Sequence, residues 1–364
     1  MGVLEDLTTP AGDEDTVGGK RARLVAAPGS TSQAAELIRA AQDLTIVVRG
    51  NGTKLDWGPP PRHLDLIIDT KNLNGVVEHA AGDLITIVRA GTPLSDLDLG
   101  DQQLVLDGPE NATIGGTVAA GTSGPRRMFY GTARDLLIGI TIVRPDGVVA
   151  KSGGKVVKNV AGYDLGKLFH GSYGTLGLIT ECAFRLHPKP QTVLFVRARK
   201  VSVQSVLAAQ IVPAAIEIDS ATGEMAVLLE GTPEGVKERA AKIGGEVTDE
   251  APPWWGTMPD GPITLKLGVP ISKVPELLAH GSAVRGSAGT GVLYAGAADI
   301  TEVEALRAHC VRLEGHAVVL AAPPGVREIL DMWGPTSGLA LMRRLKDQFD
   351  PGHRFAPGRF VGGI

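Results

Sequence analysis

Within six residues, Arg49-Gly50-Asn51-Gly52-Thr53-Lys54, the chain sets two cations, a hydroxyl and two glycines directly after the apolar run Ile46-Val47-Val48. Those residue types do phosphate chemistry. Main-chain N–H groups with no Cβ beside them can approach phosphate oxygens closely, and glycine supplies positive φ where a loop doubles back. A longer stretch follows at residues 109–124, PENATIGGTVAAGTSG, in which Pro109, Ala112, Thr113, Gly115, Gly116, Ala119, Gly121, Thr122, Ser123 and Gly124 are small, hydroxylated or turn-forming. A third, residues 171–181, places Gly174 and Gly177 ahead of the apolar Ile179. Together the three segments read as a cradle for one phosphate-bearing cofactor. The G-x-G-x-x-G dinucleotide fingerprint is not met, because that motif opens a helix after the first strand of a βαβ unit. Here the Arg49 segment runs into Leu55-Asp56-Trp57-Gly58-Pro59-Pro60-Pro61, where prolines forbid a regular helix.

The elements that must position these loops are short and mixed. A helix is expected over 34–41, capped by the Ser and Thr residues at 30–32, and strands over 44–48, 64–69, 75–79 and 84–90. Residues 93–99 read as helix-like, and Arg144-Pro145-Asp146-Gly147 as the turn of a hairpin between 136–143 and 147–151. At His187-Pro188-Lys189-Pro190 the glycine loops give way to strands and helices in alternation up to about residue 323, the pattern of an antiparallel sheet backed by helices. The expected organisation is a flexible tail at 1–20, a domain at 21–190, a smaller α+β domain at 191–330, and a segment at 331–364 that contains a basic helix over 339–348.

Bulk composition limits the function. The chain has 364 residues, 43% hydrophobic and 21% charged, with a net charge of −4, so nothing draws it generally to nucleic acid or anionic lipid. Its two cysteines, Cys182 and Cys310, sit in apolar-patterned segments and suit packing in a reducing compartment, with cytoplasm the expectation. No stretch is long and apolar enough to suggest membrane insertion, and the acidic, Gly-rich residues 1–20 read as neither signal peptide nor anchor.

Four stretches resemble the FAD-binding, PCMH-type flavoproteins of the vanillyl-alcohol-oxidase superfamily, and within it the FAD-binding E subunits of bacterial glycolate oxidases: RGNGTKLDWG (49–58), PENATIGGTVAAGTSGPRRMFYGTARDLLIGI (109–140), GGKVVKNVAGYDLGKLFHGSYGTLGLITE (153–181) and LKDQFDPGHRFAPGRF (345–360). The resemblance implies an α+β fold: a two-lobed PCMH-type FAD-binding domain plus a smaller α+β cap domain with an antiparallel sheet. It puts residues 49–54 on the pyrophosphate and 109–124 along the diphosphate, ribityl chain and isoalloxazine. Gly174, Gly177 and Ile179 would close on the adenine side, Gly131 and Lys158 would also contact the cofactor, and Arg359 would return with the C-terminal segment. Thr53, and the absence of Cys from 111–116, stand where relatives tether the flavin covalently, so non-covalent FAD is implied. The metal motifs of the larger subunit are absent, the histidines His280, His309 and His316 being isolated with no carboxylate at metal-ligand spacing, and no metal is expected.

Flavin chemistry needs a positive group near the reduced ring and a base for the substrate hydroxyl. Arg126, Arg127, Arg134, Lys155, Lys158, Arg354 and Arg359 are the cations on offer, with a solvated pair or a local ion pair as the plainer role for the first three. Lys158, Asn159, Tyr163 and Asp164 read as support for the flavin, His170 as a core residue, and Trp254-Trp255 as packing; no residue is singled out as the base. The resulting expectation is an FAD-dependent oxidoreductase, the FAD-binding subunit of a glycolate oxidase-like 2-hydroxy-acid dehydrogenase. Its partners would be a larger FAD-binding catalytic subunit and an iron–sulfur subunit, through which it could sit peripherally at the inner face of the membrane. A stand-alone oxidase or dehydrogenase of a small alcohol or hydroxy acid, and a non-catalytic flavin-binding assembly subunit, are the alternatives.

Overall fold

The computed structural model describes residues 3–154, 164–199 and 201–364. The chain divides into two compact units: Met1–Ser123, Ala133–His187 and Pro335–Ile364 form the first, Gly124–Thr132 and Pro188–Gly334 the second. The fold is α+β in both.

Among the described residues, the first unit contains two sheets of more than two strands. One has four strands in the order Thr9–Pro10, Leu24–Ala26, Leu66–Asp69, Ile46–Arg49, its last three parallel. The other is antiparallel, in the order Val149–Gly153, Leu137–Val143, Leu178–Arg185, Ile85–Arg89, Val76–Ala80. The expected hairpin is present, with Gly147 at φ 78° and its N–H donating to Arg144 O at 2.8 Å. The helix Thr31–Ala40 begins at Ser30, whose hydroxyl accepts from Gln33 N–H, and it buries Ala34, Ala35, Leu37 and Ile38 against Ile46, Leu66, Ile68, Val143, Leu178 and Phe355. Burying Leu37 and Ile38 contributes about 1.5–3 kcal/mol each.

Two expectations are corrected here. Residues 3–20 are ordered, with a helix at Val3–Leu7, the Thr9–Pro10 strand paired to Leu24–Ala26 and a two-stranded ribbon, Thr16–Val17 with Lys20–Arg21. Val17 is buried, and Asp15 carries an ion pair, so this acidic stretch is tied down by contacts that its composition hides. Residues 93–99 form only the 3-10 turn Leu94–Asp96, because Leu94 N–H donates to Ala112 O and Ser95 N–H to Glu110 O, which pulls the segment into pairing with 110–112.

The second unit is an eight-stranded, wholly antiparallel sheet in the order Glu246–Thr248, Thr192–Ala198, Glu224–Gly231, Ala215–Asp219, Val284–Ser287, Val292–Ala297, Ile263–Gly268, His316–Ala321. Helices Val203–Ala208, Pro233–Ala241, Val274–Leu278 and Ile300–Arg312 supply Val203, Val236, Val274, Leu277, Val303 and Leu306 to its core. Residues 124–132 belong to this unit: Tyr130 donates to Glu230, which also faces Arg126 at 3.7 Å, and Met128 packs on the core.

Candidate FAD-binding cleft

The strand Ile46–Arg49 is the centre of the site. Its last residue is neutralised before the loop begins: the Arg49 guanidinium lies 2.7 Å from Asp15 and 3.0 Å from Asp69, all three side chains largely buried. Burial works against the charge of Asp15, yet the hydrogen bond and charge of Arg49 outweigh it and hold that carboxyl below its ordinary range. Arg49, expected on the pyrophosphate, therefore anchors the base of the loop instead.

Residues 50–54 leave the strand with Gly52 at φ 76°. Among the described residues, none of the main-chain N–H groups of Gly50, Asn51, Gly52, Thr53 and Lys54 donates to a protein acceptor. The Asn51 side chain bonds Asn111 O at 2.8 Å, joining this loop to the next. Contact between the two is close, since a Cβ on Gly50 would lie 2.2 Å from Thr113 Oγ1.

The second segment is not an open glycine loop. Residues Ile114–Ala120 form a two-turn helix whose N-cap, Thr113, accepts from Gly116 N–H at 3.2 Å, and Gly121 ends it at φ 64°. Two glycines and β-branched residues give it little intrinsic helicity. Main-chain bonds from Ile114 to Thr92 O and from Gly115 to Ala90 O, at 2.9 and 2.7 Å, hold it in place. A Cβ on Gly115 would stand 2.7 Å from Ala90 Cβ, so glycine is required there by packing of the helix on the strand end.

The third segment docks on that helix through Gly171 N–H to Val118 O and Tyr173 N–H to Ala119 O, both 2.9 Å. From the C-terminal segment, Arg359 Nη2 donates to Leu55 O and Trp57 O, 2.7 Å each, and Tyr173 stacks on Phe360.

These segments enclose a cleft that is open to solvent. Gly50, Asn51, Gly52, Thr53, Lys54, Thr113, Gly115, Gly116, Ala119, Gly174, Gly177, Ile179 and Arg359 line it, as do Val48, Leu55, Thr70, Ala90, Ala120 and Tyr173, which sequence reasoning passed over. Tyr173 lay within the third glycine run and could have been taken from it. Val48, Thr70 and Ala90 are signalled only by their place at strand ends. Every lining residue belongs to the first unit. The donor set fits a dinucleotide diphosphate: five unmatched amides and a lysine at the loop, apolar walls from Val48, Leu55, Ala90 and Ile179. Burial lowers Lys54 to about 8.

Other expected residues lie elsewhere. Pro109 and Ala112 make the turn before the helix, Thr122 N–H donates to Thr117 O, and Ser123 Oγ accepts from Ala133 N–H. Gly124 and Gly131 are in the second unit. Lys155, Lys158, Asn159 and Tyr163 fall outside the described residues. Asp164 pairs with Lys167 at 3.6 Å. Arg354, offered as a cation for the cofactor, instead donates to Leu44, Pro145 and Ala41 carbonyls at 3.1, 3.0 and 2.6 Å.

In the second unit, Trp254 donates to Glu224 at 2.9 Å and Trp255 packs edge-on against Phe195. His280 and His309, widely separated in sequence, stack with ring centres 4.5 Å apart. Among the described residues no three metal-ligating side chains come together. Lys266, opposite Tyr294 in the sheet, is held below its ordinary range by burial and then by Arg127. Neither cation has a carboxylate partner among the described residues. Both cysteines are buried, which raises their thiols, Cys310 to about 11, and leaves them inert. No helix among the described residues is long and apolar enough to cross a membrane.

Residues 22–153 match the family described as FAD binding domain. Over 358 residues, 90% of this chain and 95% of the other, the sequence is 31% identical to glycolate oxidase subunit GlcE of Escherichia coli. Glycolate oxidase subunit GlcD of Bacillus subtilis is 34% identical over 208 residues, 53% of this chain and 44% of that one. The cytochrome-type mitochondrial D-lactate dehydrogenase 1 of Saccharomyces cerevisiae is 35% identical over 181 residues, 47% and 31% of the two chains. Alkyldihydroxyacetonephosphate synthase superposes with a TM-score of 0.65 at 16% identity, covering 93% of this chain and 77% of that one, and shares the fold. The chain belongs to the PCMH-type FAD-binding flavoproteins, in the branch of the glycolate oxidase subunits. It is an FAD-dependent oxidoreductase, related also to D-lactate dehydrogenases.

Proposed function

We propose that this chain is the FAD-binding subunit of a glycolate oxidase-like 2-hydroxy-acid dehydrogenase that works beside a larger FAD-binding catalytic subunit and an iron–sulfur subunit. The observation that carries the reading is likeness to a GlcE subunit along nearly the whole of both chains. FAD, bound non-covalently, would accept a hydride equivalent and release electrons singly or in pairs. The residues of this chain do the holding. Amides of 50–54 and Lys54 would meet the diphosphate, the Thr113-capped helix would back it, and Arg359 would fix the loop through Leu55 and Trp57. Residues 21–190 with the C-terminal segment would form the FAD domain and 191–330 the cap.

Purified alone, the chain should show flavin absorbance that is released by acid precipitation. It should fail to bleach with glycolate or D-lactate under anaerobic conditions, and tagged in its host it should recover a larger flavoprotein and a Cys-rich protein. A coloured acid pellet refutes non-covalent attachment, and bleaching by the chain alone refutes the subunit role.

One observation favours the second reading, a self-sufficient dehydrogenase of a small hydroxy acid: Lys266, held below its ordinary range by burial and then by the charge of Arg127, has no carboxylate partner among the described residues and would suit the carboxylate of that substrate. On that reading Lys266→Met raises KM for the acid about tenfold or more and leaves the flavin spectrum unchanged.

A further inference from the structure

We infer that loading FAD takes up a proton from solvent at Lys54, so that occupancy of the cleft is governed by pH; the inference rests on the flavin reading above. Two of the three basic residues at this loop are already committed. Arg49 is neutralised by Asp15 and Asp69 below the loop. Arg359 spends Nη2 on the carbonyls of Leu55 and Trp57. Lys54 donates only to Thr53 Oγ1, at 3.2 Å, and among the described residues it has no carboxylate partner. Asp56 on the same loop is exposed, and Tyr173 and Arg359 are the other ionisable groups lining the cleft.

The chemistry follows from that placement. With no anion beside it, a half-buried ammonium loses hydration that nothing replaces, and Lys54 sits at about 8. In the free chain it is then mostly charged at pH 7 and mostly neutral at pH 9. A diphosphate brought against it restores the charged form, and the neutral amine takes one proton from water with no other bond made or broken. The fraction taken up is roughly 0.1 at pH 7 and roughly 0.9 at pH 9. Affinity therefore falls as pH rises past about 8, by about tenfold in Kd between pH 7 and 9.

Titration calorimetry of FAD into the flavin-stripped full-length chain, in two buffers of different ionisation enthalpy at each pH, counts the protons directly. The wild type should show near-zero uptake at pH 7 and nearly one proton at pH 9. Lys54→Arg, always charged, should bind FAD with no uptake and a flat Kd across this range. Lys54→Met should bind more weakly, with no uptake. Tight FAD binding with no uptake at pH 9 in the wild type overturns the inference and leaves the flavin reading intact, as does a Lys54→Arg variant that keeps the pH dependence. No FAD binding by wild type or Lys54→Arg at either pH overturns both.

Discussion

Gly115 and Gly174 look alike in the sequence and do different work. Gly115 is demanded by the 2.7 Å approach to Ala90, whereas Gly174 sits at φ 72° with nothing within 4 Å of a Cβ. Gly115→Val should therefore lower the melting temperature and lose flavin together. Gly174→Ala should cost about 1 kcal/mol through its backbone, as melting curves of the purified variants will show. Arg49 makes a third case. Arg49→Met leaves Asp15 and Asp69 buried without their cation, and urea unfolding at pH 7 should show a loss of about 3–5 kcal/mol. Asp15 is held below its ordinary 3.8, so its stabilisation is present above that value and disappears as pH falls through the depressed one. The gap between wild type and Arg49→Met should accordingly narrow as pH falls below 3.8. Sequence could show that residues 50–54 were glycine, hydroxyl and cation, which is phosphate chemistry. It could not show that Arg49 was already paired, because its partners lie 34 and 20 residues away.

At the level of elements, regular patterning was readable and captured segments were not. The capped helix at Ser30, the hairpin about Gly147 and the alternating strands of the second unit follow from local chemistry. The helix Ile114–Ala120 does not: its glycines argue against it, and it exists because Thr113 caps it and Ala90 and Thr92 accept from it. The last long helix, Leu339–Phe349, shows how the C-terminal segment is secured. Lys346, buried, donates to Asp350 at 2.6 Å and to the carbonyls of Thr175 and Phe355. Lys346→Met strands the Asp350 carboxylate and should destabilise by about 3–5 kcal/mol. The double variant with Asp350→Asn should recover part of that loss, and chemical denaturation of the four members of the cycle reads the coupling.

Across the whole molecule the division of labour is uneven. All residues lining the cleft come from the first unit, while the second has its own sheet and core. Excess FAD should therefore raise the melting transition of the first unit, by about 2.7 kcal/mol at a hundredfold excess over Kd, and leave that of the second where it was. Scanning calorimetry with and without FAD decides this. Length allowed two units, and the prolines at 188 and 190 stand at the start of the second unit's longer segment. Residues 124–132 carried no such mark, since Tyr130 finds Glu230 a hundred residues further on and Met128 packs on the core of the second unit.

The bond from Arg359 to Leu55 O spans 304 residues. A ribosome therefore delivers the glycine-rich loop early and the guanidinium that braces it very late, with the entire second unit made in between. A nascent chain halted before residue 359 has its loop in hand and no brace for it, and should hold pigment less firmly than the longer chain.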